Sequence, residues 1–94
     1  MIVLQTPYEM AVDAAKRFRS VRKAKKITIK ELSIRCGVPY STIRRFESTG
    51  AISFLALVKL TSAMEEDEQI TRLFSEVIPA SIEEVIRGNR GQGI

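Results

Sequence analysis

Between Lys30 and Glu47 the chain reads KELSIRCGVPYSTIRRFE. Leu32 and Cys36 are helically spaced before Gly37, and Ile43 and Phe46 are so after Pro39. Those two residues forbid one continuous helix. Glycine readily takes the left-handed conformation that ends a helix. Proline lacks an amide hydrogen and has a fixed φ, which suits the first turn of a new helix. The stretch is therefore expected to fold as helix, short turn, helix, with the second helix leaving at a steep angle. Leu32, Cys36, Val38, Ile43 and Phe46 then hold both helices to a core, and Ser33 is small where the second helix crosses. Tyr40, Ser41, Thr42, Arg44 and Arg45 have no core to face.

The flanking sequence supplies further helices. Thr6, Pro7 and Glu9 form a capping box with proline at the first helical position, and Ala11, Ala14, Ala15, Phe18 and Val21 continue a helix to about Lys25. Thr28 with Glu31 caps the helix Ile29 to Cys36, and the one after it runs from about Pro39 to Phe46 or Glu47. ESTGAIS reads as a loop. Ser53 caps a fourth helix that buries Phe54, Leu57, Val58 and Leu60 and ends near Met64. EEDE opens a fifth, where acidic residues favour the helix dipole. Its stripe of Ile70, Leu73, Phe74, Val77 and Ile78 runs to the stop at Pro79. Ser81 and Glu84 cap a short helix with Ile82, Val85 and Ile86 on its apolar face, followed by a loose tail. Ile2, Val3 and Leu4 fit either an edge strand or an arm that pairs with another subunit. The chain divides into a domain over 1–78, with its core over about 15–78, and a short C-terminal helix and tail over 79–94.

Charge separates along the chain. Residues 1–50 hold eleven Lys/Arg and four Asp/Glu, a net +7; residues 51–94 hold four and seven, a net −3. A basic half and an acidic half suit one side that faces a polyanion and one that avoids it. The single cysteine, Cys36, cannot form an internal disulfide and is expected to be a small core residue, which favours a cytoplasmic home. MIVLQTPYEM has neither the basic start nor the apolar run of a signal peptide, and no stretch approaches the roughly 20 apolar residues of a membrane span. There is no histidine, P-loop, dinucleotide fingerprint or paired-cysteine motif, so neither an enzyme nor a bound metal or cofactor is expected.

Helix, glycine turn and helix form the helix-turn-helix arrangement, in which the first helix crosses over the DNA backbone and the second enters the major groove. RSVRKAKKITIKELSIRCGVPYSTIRRFES resembles the Cro/cI-type (XRE) regulators of bacteria and phages over roughly Ala15 to Leu73. The likeness rests on a basic first helix, the glycine turn, STI, and the closing FE. It implies an all-α, compact five-helix, lambda-repressor-like bundle that binds a palindromic double-stranded DNA operator as a homodimer.

On that resemblance Tyr40, Ser41, Arg44 and Arg45 are the base-reading positions. Arg45 is expected at guanine O6 and N7, with phosphate binding as its alternative, and Arg44 is divided between phosphate and base. Lys26, Thr28, Lys30, Thr42 and Ser53, with the backbone amides near Gly50 to Ser53, are phosphate candidates. Arg22 and Glu47 correspond to a structural pair that fixes the angle of the reading helix. Two positions depart from the pattern: Ile29 replaces a frequent glutamine, and Pro39 a frequent hydroxyl cap. Small proteins of this family also serve as antitoxins that hold a toxin, in several cases a HipA-like kinase. That role is the alternative to a stand-alone repressor, and a protein adaptor without DNA is a third.

Overall fold

Local hydrogen bonds fix where each helix starts. Thr6 and Thr28 accept the backbone N–H groups of Glu9 and Glu31, whose carboxylates accept those of Thr6 and Thr28 in return. Ser53 Oγ accepts from the N–H of Ala56. The Thr6 N–H also holds the Glu9 carboxyl below its usual pKa. This cap therefore stabilises the folded chain above the ordinary carboxylate range and is lost as pH falls through the lowered value.

A computed structural model describes residues 4–77. The helices are α1 (Pro7–Ala24), α2 (Ile29–Cys36), α3 (Tyr40–Thr49), α4 (Phe54–Ala63) and α5 (Asp67–Thr71), with no strand among the described residues. Four helices end on a left-handed residue: Lys26 (φ 58°), Gly37 (76°), Gly50 (79°) and Glu65 (61°). Lys26 and Glu65 take this conformation without being glycine. At α1 the N–H of Ile27 donates to the Arg22 carbonyl and that of Lys26 to the Lys23 carbonyl, the pair of hydrogen bonds that stabilises such an ending.

Ala15, Ile27, Leu32, Val38, Ile43, Phe46, Leu60 and Met64 form the core, with Leu32, Ile43 and Leu60 fully enclosed. The Phe18 and Phe46 rings meet edge to face at 5.2 Å. Contacts between α1 and the end of α3 join Ala11 with Gly50, Phe18 with Phe46, and Arg22 with Glu47. The last turn of α3 is thereby packed against α1. In the turn, Ser33 Oγ donates to the Val38 carbonyl at 2.6 Å, a task for a small hydroxyl beyond clearance. Cys36 is half-buried against the core, its Sγ facing the N–H of Val38.

Three expectations need correction. Helix α3 continues to Thr49, because Gly50 rather than Glu47 ends it and the hydroxyls of Ser48 and Thr49 donate to the Arg45 carbonyl. In α4 the buried stripe runs through Leu60, Thr61 and Met64, with Leu57 and Val58 half-buried. Phe54 is exposed, while Ile52, Ala56 and Leu57 pack against the core from the same end of α4. The larger correction is α5, which lasts five residues and gives way at Arg72, with Phe74 left-handed (φ 59°). Leu73, Phe74 and Val77 are exposed. A short helix gains most of its stability from covering its apolar face, and these three side chains are left uncovered. Helix α5 also starts at Glu66 without a side-chain cap. Ile78, the helix expected from Ser81, the tail, Ile2 and Val3 lie outside the described residues. Phe18, Val21, Leu57, Met64, Ile70 and Leu73 line an open apolar groove of about 410 Å³ between α1, α4 and α5.

The two glycine ends should respond differently to alanine. Nothing lies within 4 Å of a Cβ built on Gly37, whereas one on Gly50 would stand 2.8 Å from the Ala11 carbonyl carbon. Gly37→Ala should cost roughly 1–2 kcal/mol of left-handed strain. Gly50→Ala should cost clearly more in urea unfolding, since it also drives α3 off α1.

Candidate nucleic-acid interface

Helix α3 has three faces, set by its 3.6-residue turn. Ile43 and Phe46 enter the core at 0% and 4% exposure. Tyr40, Arg44 and Ser48, each four residues apart, form a row beside α1. Ser41 and Arg45 form the next row, exposed to solvent. Burying two large apolar side chains on one face leaves the cations no other direction to point. Thr42 is half-buried at the margin.

The orientation of α3 is set from α1. Arg22 Nε donates to Glu47 Oε2 at 2.7 Å and Nη2 to Oε1 at 2.8 Å, while Nη1 donates to the Ile27 carbonyl at 2.9 Å. Both side chains are less than a tenth exposed. One guanidinium thus joins α1, the turn after it and the end of α3. The Glu47 carboxylate holds the Arg22 pKa above its usual value against the cost of burial, with Tyr40 near enough to contribute. The pair is therefore not the weak surface bridge that exposed ions form.

Of the phosphate candidates, Lys26 and Lys30 are exposed. Thr28 and Ser53 are also exposed, but their hydroxyls are engaged in capping, and the Thr28 N–H is held by the Glu31 carboxylate. Ile29 is half-buried and, with Tyr40, Arg44, Ser48, Arg19, Arg22 and Glu47, lines a polar notch of about 300 Å³ between α1 and α3. Tyr40 and Arg44 therefore belong with α1, while Ser41 and Arg45 stand apart from it. Arg19 is the residue that sequence reasoning did not single out. It lies three residues before Arg22, on the same face of α1, and was one cation among many until α3 docked beside it.

No group of His, Cys, Asp and Glu among the described residues could hold a metal ion, and no described helix is long and apolar enough to cross a membrane. No family model, curated protein or solved structure matches the chain.

Removing one member of a buried pair strands the other's charge. Glu47→Gln should therefore destabilise the fold by roughly 3 kcal/mol in urea unfolding. Replacing both partners, Arg22→Met with Glu47→Leu, should recover most of that loss. A cost below about 0.5 kcal/mol for Glu47→Gln would mean that the pair behaves as a surface bridge.

Proposed function

We propose that the chain is a cytoplasmic, sequence-specific DNA-binding regulator that reads a palindromic operator as a homodimer through α3. The observation that carries this reading is the division of α3. Its apolar face, Ile43 and Phe46, is buried, and its opposite face presents Ser41 and Arg45 to solvent beside Tyr40 and Arg44. A helix of 10 residues with one exposed cationic face fits the major groove. The buried Arg22–Glu47 fork supports the same reading, because a reading helix must be held at a fixed angle to place its side chains on base edges. The excess of cations in the first half of the chain supplies attraction to phosphate.

One α3 spans half a site, so two-fold pairing follows from the function. Leu73, Phe74 and Val77 are exposed in the acidic half of the chain and favour a protein contact there. The same observation favours a second reading, an antitoxin that binds its own promoter and holds a HipA-like toxin. An antitoxin would co-purify with the product of the adjacent gene; a stand-alone repressor would pair only with itself.

Selection from a randomised duplex library tests DNA reading directly. It should enrich a two-fold symmetric site with half-sites about one helical turn apart, bound with an affinity that falls steeply as salt rises. Arg45→Ala should then lose roughly 1–3 kcal/mol of discrimination at one base pair of each half-site. A library that yields no enriched sequence, or binding indifferent to salt, contradicts the proposal.

A further inference from the structure

The notch between α1 and α3 has a chemistry of its own. Four charged side chains face it: Arg19, Arg22, Arg44 and Glu47. Glu47 turns both carboxylate oxygens onto Arg22, so those two nearly cancel. Arg19 Nε lies 3.9 Å from Glu47 Oε1, too far for a hydrogen bond, and the Arg19 side chain is half exposed. Arg44 is exposed and has no ion-pair partner among the described residues. The notch therefore carries one unpaired guanidinium, Arg44, and a second, Arg19, held only by a loose 3.9 Å ion pair, above a floor where Arg22 and Glu47 neutralise one another, with Tyr40 and Ser48 also lining it. A fork of planar donors in such a place suits the oxygens of a phosphate.

We infer that Arg19 and Arg44 form a two-arginine clamp for one phosphodiester of the DNA backbone, so that Arg44 grips the strand and Arg45 alone of the two reads bases. This rests on the DNA-binding reading above and divides the labour within it. Arg44 stands on the row that faces α1, one residue and about 100° around the helix from Arg45. Two side chains so separated point toward different parts of the groove, Arg44 toward the side that carries α1 and Arg45 away from it. The row of Arg44 is also the one that shares a recess with a second helix, and a recess flanked by two helices fits a backbone strand better than a flat base edge. Arg19 thereby becomes a nucleic-acid contact supplied from outside the helix-turn-helix. Its attachment to the same helix as Arg22 gives the clamp and the reading helix a common frame.

The test uses the full chain and a duplex chosen by selection, with affinities measured over a range of potassium chloride concentrations. Arg19→Ala and Arg44→Ala should each weaken binding by a similar factor on the selected duplex and on its single-base variants, and each should reduce the logarithmic salt slope by about one. Arg44→Lys should restore most of the slope, because a point charge serves a phosphate. A neutral methylphosphonate at the clamped position should reproduce the loss and leave Arg44→Ala with little further effect. Base-dependent loss in Arg44→Ala, or an unchanged slope in both alanine variants, overturns the clamp while DNA binding itself stands. Failure of the parent chain to bind any duplex overturns both.

Discussion

Arg22 closes three elements around one guanidinium. It reaches Glu47 at the end of α3 with two hydrogen bonds and the Ile27 carbonyl with a third, while its own carbonyl receives the Ile27 N–H. A charge this deeply buried is stable only if it is paired and hydrogen-bonded, and here each of the three guanidinium nitrogens has a partner. The requirement is geometric as much as energetic, because a planar fork accepts a carboxylate in few orientations. The α1–α3 relation is thereby fixed at one end. The close approach of Gly50 to Ala11 fixes it at the other, and the Phe18–Phe46 contact fills the middle. Helix α3 has little freedom to roll.

The proposed function depends on that lack of freedom. If α3 could rotate by one residue, Ile43 and Phe46 would leave the core and the exposed rows would exchange places. Enclosure of those two side chains decides that cations point outward. The Arg22–Glu47 fork decides at what angle. Between them they separate a row beside α1, suited to the strand backbone, from a row open to solvent, suited to bases. Attraction to DNA needs only surplus charge, whereas discrimination between base pairs needs this division.

The features legible in the sequence were those with local causes. Thr6, Thr28 and Ser53 could be assigned as caps because each bonds to a residue three positions on. Gly37 could be assigned because a left-handed ending favours glycine. Lys26 and Glu65 adopt the same conformation and were not legible, since the bonds that stabilise them depend on how the chain continues. Helix α5 was overread for a related reason. The spacing from Ile70 to Val77 is helical, but periodicity describes a face and not what covers it. The exposed face of α3 followed from Ile43 and Phe46 alone. Arg19 did not, because its meaning arises only when α1 and α3 lie side by side.

On the proposed reading, Arg44 and Arg45 of α3 meet the duplex together with Arg19 of α1, while Arg22 of α1 stays on the Glu47 carboxylate. Arginine side-chain Nε–Hε resonances report on each separately. On titration with a selected duplex, the signals of Arg19, Arg44 and Arg45 should shift and that of Arg22 should keep its position. Shifts confined to α4 and α5, or release of Arg22 from Glu47 on binding, would contradict the account.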